Sequence, residues 1–229
     1  MLRKKKDFAQ KKEIKPSSMT ARYYEMADWF EKSRKEVVMA SLIVVVAVAA
    51  YFLVGYYRGL DNEKASLDLA KVMAIYDSGS YIEAIDGRPT ENVKGLKSLV
   101  DTYAGTENGE TARIYLANSY YALGKYPEAK EQYDAYSGSN ELLQATALAG
   151  LAACYEAENN PAEAAGYYMK ASNVSDDMVF KPKYLLYAGI NYLEAGDTEE
   201  AKKLFKLVKK DYSKSAFVRD IDRYLAQVQ

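Results

Sequence analysis

The sequence predicts an all-α chain: a single N-terminal transmembrane helix followed by an α-solenoid of helix–turn–helix repeats. Two observations carry this reading. Residues 37–57 run for 21 positions without a charged side chain, and at ~1.5 Å per residue a helix of that length spans roughly 31 Å, the hydrocarbon thickness of a bilayer. Further along, small and aromatic residues return together at intervals of 35 and then 37 positions. Such a period is the signature of stacked helical pairs.

Composition narrows the function before any motif is read. The 229 residues hold 31 Lys and Arg against 32 Asp and Glu, net −1, so the whole chain has no bias toward nucleic acid or an acidic substrate. The charge is sorted by region. Residues 1–36 carry 11 basic and 6 acidic side chains, net +5, leaving 20 basic and 26 acidic, net −6, over residues 37–229. With no histidine, there is no imidazole for a general base, a Ser/His/Asp unit or a neutral zinc ligand. Cys154 is the only cysteine, which excludes an intrachain disulfide and a Cys-ligated metal site within one chain. It reads as a small buried apolar residue rather than a reactive thiol. An enzyme would have to work with Asp, Glu, Lys and Tyr alone, and no Gly-rich phosphate loop or carboxylate metal motif supports one. The chain reads as a non-enzyme without cofactor, metal or small-molecule substrate.

The elements follow in order. Residues 1–19 form a basic tail without apolar period and are expected to be disordered. Over 20–36, Thr20 reads as an N-cap and Tyr23, Met26, Ala27 and Phe30 recur at helical spacing, which predicts a short amphipathic juxtamembrane helix. Residues 37–57 are the transmembrane helix, with Trp29 and Phe30 before it and Tyr51, Phe52, Tyr56 and Tyr57 at its far end, as an aromatic belt would place them. The basic excess precedes the span, so the positive-inside rule puts the N-terminus in the cytoplasm and residues 60–229 across the membrane, in a bacterial periplasm. A cleaved signal peptide is the competing reading, with Ala47-Val48-Ala49 as the cleavage site. The long basic region and the continuation of the apolar run to Tyr57 favour the uncleaved anchor. The basic tail either sets topology alone or also meets anionic lipid or ribosomal RNA. Within the span, Ala40, Ala47 and Ala50 form a small-residue side that either docks on another helix or faces lipid.

Beyond the span lies the repeat. Ala117-x-x-Tyr120, Gly124, Ala129 and Tyr133 recur as Ala152-x-x-Tyr155, Asn159, Ala164 and Tyr168, and again as Gly189-x-x-Tyr192, Gly196, Ala201 and Phe205. The small residues let two antiparallel helices approach, and Tyr120, Tyr155 and Tyr192 fill the gap to the following helix. Gly124, Asn159-Asn160-Pro161 and Gly196-Asp197 turn the chain between them. These residue types and spacings resemble the tetratricopeptide repeat, whose period is about 34. Repeats are expected at 110–143, 145–178 and 182–215, closed by a terminal helix at 217–228. A degenerate first unit covers 63–103, with helices at 63–76 and 92–103 and an irregular stretch at 77–91.

Basic tail, single anchor and repeat domain together resemble the YfgM-like family, an ancillary component of the bacterial Sec translocon. The residues that carry the likeness are Tyr81-Ile-Glu-Ala-Ile-Asp-Gly87, Phe180-Lys-Pro-Lys-Tyr-Leu-Leu-Tyr-Ala-Gly189 and Lys209-Lys-Asp-Tyr-Ser213. The resemblance implies attachment to an integral membrane complex and recruitment of periplasmic chaperones or emerging client proteins. A scaffold for cell division or another secretion system would have the same architecture.

In such repeats the first helix of each unit lines the concave face. That places Thr111, Ile114, Tyr115, Asn118 and Tyr121 there, then Thr146, Ala149, Ala153 and Glu156, then Lys183, Leu186, Tyr187, Ile190 and Glu194. Only Asn118 and Lys183 suit a clamp for C-terminal carboxylates. The groove is therefore expected to hold an extended or helical partner segment through Tyr115, Tyr121 and Tyr187, or to be filled by the protein's own helices. Lys202, Lys203, Lys206, Lys209 and Lys210 form a run that reads first as a solvated face and only second as a binding stripe.

Overall fold

The computed structural model describes residues 18–174 and 179–227; the expected disordered tail lies almost wholly outside them. The chain divides into two units, residues 1–56 and 57–229. In the first, helix α1 (Ser18–Lys32) is already formed by Ser18, so Thr20 lies inside the helix and does not cap it. After Ser33, helix α2 (Arg34–Asp77) runs for 44 residues. The expected span and the expected first repeat helix are thus parts of a single helix. Residues 58–62 hold no proline to break it, and Gly59 costs only about 1 kcal/mol in a helix interior.

In the second unit the end of α2 buries Ala65, Leu69, Val72 and Ile75, one helical side at i, i+4, i+7 and i+10. They pack with Leu96, Leu99 and Val100 of α4 (Leu96–Thr102) and with Ala112 and Leu116 of α5 (Glu107–Ala122). Asn62 fixes the register, accepting the Asn108 backbone N–H at 2.8 Å while its own carbonyl takes the Asn108 amide at 3.2 Å.

The stretch between α2 and α4, expected to be irregular over 77–91, carries regular elements. It holds α3 (Tyr81–Asp86), strands β1 (Gly87–Arg88) and β2 (Val93–Lys94), and a 3-10 turn at Pro89–Glu91. Strand β1 pairs antiparallel with β2, Gly87 opposite Lys94. The second helix of the first unit therefore begins at Tyr81, is interrupted by this hairpin, and resumes at Leu96, not at residue 92, where Asn92 is left-handed with φ +54°. Gly87 (φ +88°) and Gly95 allow the interruption: a Cβ on Gly95 would lie 2.2 Å from the Ile85 carbonyl oxygen. Asp68 of α2 ties the hairpin down, accepting from Lys94 and the Tyr103 hydroxyl, both at 2.9 Å, and from Lys71.

Three regular pairs follow: α5 with α6 (Tyr126–Asp134), α7 (Glu141–Ala157) with α8 (Pro161–Ser172), and α9 (Lys181–Glu194) with α10 (Thr198–Asp211). Helix α11 (Val218–Gln227) buries Ile221 against the last pair. Each helix packs mainly on its chain neighbours, the one-dimensional order of a solenoid. The three turns are built alike. Gly124, Asn159 and Gly196 take positive φ, and the next backbone N–H returns to the carbonyl of Tyr120, Tyr155 or Tyr192 at 2.8 to 2.9 Å, which closes the last turn of the first helix.

Two substitutions of equal chemistry should have opposite signs. A Cβ on Gly189 would stand 2.5 Å from the Phe205 ring, whereas Gly166 in α8 has open space. Gly189→Ala should destabilise by about 1–3 kcal/mol through overpacking, and Gly166→Ala should stabilise by up to ~1 kcal/mol, both read as urea midpoints at constant slope. A second expectation concerns acid. Burial raises the Asp68 pKa, but hydrogen bonds from Lys94, Tyr103 and Lys71 outweigh it and hold the carboxyl below its usual range. A depressed folded value means that this contribution is complete above the unfolded carboxylate pKa and is lost as pH falls through the folded one. Asp68→Asn should therefore flatten the loss of stability below about pH 4, measured by thermal melts across pH.

Candidate partner-binding face

Tyrosines dominate the inner side of the helix pairs. Tyr76 at the end of α2 meets Tyr81 at 5.5 Å and Tyr115 of α5 at 5.0 Å, both edge to face, the arrangement that ring quadrupoles favour. Tyr121 lies against Tyr126 at 5.5 Å, and Tyr168 of α8 against Tyr187 of α9 at 5.4 Å. Tyr133 of α6 completes the middle of the row. Positions 115, 150 and 187 are equivalent in the repeat, and Gly150 leaves the room that Tyr133 fills: a Cβ there would be 2.3 Å from the Tyr133 ring.

Hydroxyls on the row are held from within. Tyr133 Oη donates to Asn118 Oδ1 at 2.5 Å, and Tyr168 Oη to Glu156 Oε2 at 2.9 Å. Burial pushes the pKa of both phenols well up, aided at Tyr168 by the Glu156 charge. They stay neutral donors at any physiological pH. The Cys154 thiol, fully buried, is pushed up to about 11 by burial, which Lys130 opposes only in part.

The structure sorts the expected groove residues into three groups. Ile114 and Leu186 are each only 3 % exposed; they belong to the core and have no surface for a partner. Tyr115, Asn118, Lys183, Tyr187 and Ile190 are half-buried, with Lys183 Nζ 5.8 Å from the Tyr187 ring centre. Thr111 and Thr146 turn their hydroxyls back to the carbonyls of Glu107 and Leu142, and Ala149 and Ala153 are half-buried. Tyr121, Glu156 and Glu194 are exposed. Asn118 gives its oxygen to Tyr133, and the expected groove residues hold two carboxylates, Glu156 and Glu194, against the one cation Lys183, a poor set for a bound carboxylate. Open clefts beside Tyr212 and Phe217, and between Leu142 and Tyr184, lie elsewhere and are not lined by Tyr121 or Tyr187.

The repeated small and aromatic positions behave as a set. Ala117, Ala129, Ala152, Ala164 and Ala201 have no exposed surface, Gly189 is buried, and Tyr133, Tyr168 and Phe205 are at most 5 % exposed. Tyr120, Tyr155 and Tyr192 are half-buried; Tyr155 stacks on Tyr167 at 5.3 Å with Lys130 Nζ 4.6 Å from its ring centre. Sequence reasoning missed Ala84, also fully buried, although Tyr81-Ile-Glu-Ala84 repeats the pattern of Tyr126-Pro-Glu-Ala129. It also missed Gly150 and the ion pair of the nearly buried Glu110 with Arg113 at 3.3 Å, where Glu110 also accepts the Ser137 N–H at 3.0 Å. In the lysine run, Lys203 pairs with Glu200 and Lys209 with Asp222 at 2.6 Å, while Lys206 and Lys210 are solvated.

Residues 116–176 and residues 183–215 match family models of the tetratricopeptide repeat. These segments are tetratricopeptide repeats. Comparison with curated proteins and with solved structures gave no match. Tetratricopeptide repeats act as protein–protein interaction scaffolds, which accords with a face of rings, amides and satisfied hydroxyls.

Tyr133→Phe should cost about 1 kcal/mol by freeing the half-buried Asn118 oxygen. Tyr121→Ala, at an exposed position, should leave the urea midpoint within about 0.5 kcal/mol of the parent.

Proposed function

We propose that the chain is a non-enzymatic, single-pass membrane scaffold whose tetratricopeptide domain captures a protein partner through the tyrosine face. One observation carries the reading: the apolar stretch of α2, from Val38 to Tyr57, keeps every large apolar side chain about half exposed or more. Its helix is long and apolar enough to cross a membrane, and an apolar surface of that extent marks an interaction site. An anchor and an interaction domain in one chain make an adaptor. On the family resemblance carried by residues 81–87, 180–189 and 209–213, its complex is the Sec translocon of a bacterial inner membrane. The N-terminus is then cytoplasmic and the repeats periplasmic, where they recruit chaperones or emerging clients.

Crosslinking of the tagged chain in native membranes, followed by mass spectrometry, tests the partner. Translocon subunits or periplasmic chaperones should be recovered, and capture should fall at least about tenfold, a change of ~1.4 kcal/mol, in Tyr121→Ala/Tyr187→Ala. Recovery of division or other secretion machinery alone would keep the scaffold and remove the translocon. Unchanged capture by the folded double variant would move the contact off the tyrosine face.

A further inference from the structure

Helix α1 leaves an apolar side uncovered. Met19, Tyr23, Met26 and Phe30 follow the i, i+4, i+7, i+11 spacing of one helix face and are 83, 67, 67 and 51 % exposed. On the opposite side lie Glu25, Asp28 and Lys32, with Lys32 Nζ bonded to Asp28 at 2.7 Å. Only Ser33 separates α1 from the helix that carries the apolar stretch, and Arg34 and Lys35 stand at that junction.

We propose that α1 lies in the headgroup layer of the membrane that α2 crosses, its apolar face toward the acyl chains and its Asp28–Lys32 face toward water. The inference rests on reading α2 as a membrane span. Three features select lipid as the occupant. Continuity of the chain holds α1 at the surface where the span emerges, so its effective concentration there is high without any binding from bulk. The sequence supplies a basic excess for anionic headgroups, 11 Lys and Arg against 6 Asp and Glu over residues 1–36, and a basic residue is worth about 1 kcal/mol near such a surface. Trp29 flanks the apolar face, at the boundary that amphipathic rings prefer. A helix of this kind, charged on one side and apolar on the other, lies along an interface and does not cross it.

Trp29 is the only tryptophan in the chain and so reports on α1 alone. The full-length chain would be reconstituted into phosphatidylethanolamine–phosphatidylglycerol vesicles with Cys154→Ser, and a Val46→Cys version would probe the span with a water-soluble maleimide. The expected result is blue-shifted Trp29 emission, strong quenching by lipids brominated near the glycerol end, weak quenching by iodide, and a thiol at position 46 that resists labelling. Met26→Asp/Phe30→Asp should shift the emission to the red and restore iodide quenching, with position 46 still protected. Water-like emission in the parent with position 46 protected would overturn the inference and keep the span. Free labelling at position 46 would overturn both. Emission shielded from iodide but not quenched by brominated lipid, and exposed on dilution into excess lipid, would assign the face to a second copy of the chain.

Discussion

Everything in the repeat domain depends on how closely two helices of one pair can approach. At each crossing the chain places alanine, Ala84, Ala129, Ala164 and Ala201, and all four are without exposed surface. A larger residue there would push the helices apart and open a gap that the ring four residues further on, Tyr133, Tyr168 or Phe205, could no longer fill. The partner position on the first helix is equally constrained. Val72, Ala117, Ala152 and Gly189 are all buried, and Gly189 is a glycine because Phe205 occupies the space of its missing Cβ. Close approach in the pairs gives three core clusters, bridged by the half-buried Tyr120, Leu148 and Tyr167, since no single pair buries enough surface alone.

That constraint also makes the tyrosine face. Once the second-helix ring is driven inward, it emerges beside the first helix of the next pair, where Tyr168 meets Tyr187 and Tyr133 meets Gly150. The inner surface is thus the far side of the core packing. This is why several of its residues serve two ends: Asn118 and Glu156 accept from buried phenols while their neighbours face solvent. The ring surface that packing leaves exposed on these helices is chiefly Tyr121, with the outer edges of Tyr115 and Tyr187.

Much of this was legible in the sequence, and what was not has physical causes. The three regular pairs and their turns follow from small, aromatic and left-handed positions at a fixed period, and the positive φ of Gly124, Asn159 and Gly196 answers that reading directly. The first pair was obscured because its second helix is cut after Asp86. Gly87-Arg-Pro89 reads as irregular chain, yet the Gly87 and Gly95 backbones close a hairpin that returns the chain to helix at Leu96. The extent of α2 was obscured for the opposite reason, since the change from apolar to polar residues near Arg58 marks a change of surroundings and leaves the helix intact. In the groove, Ile114 and Leu186 sit at positions the period assigns to the inner face. Periodicity gives the angle around a helix but not how deeply the neighbouring helix covers it, and both were covered.

Burial also sets the state of several reactive groups among the described residues. Cys154 is sealed in the core with its thiol raised to about 11, so almost none of it is thiolate near neutrality. Two buried phenols, Tyr133 and Tyr168, are raised further and already donate to fixed acceptors. The buried carboxylate, Glu110, is committed to Arg113 and to the Ser137 N–H that joins one repeat to the next. Tyr133, Tyr168 and Glu110 thus bond to fixed partners within the array. The groups left open are rings, amides and solvated charges, which bind by shape and desolvation. Affinity from such a face is modest per residue, so recognition there would depend on several rings acting together.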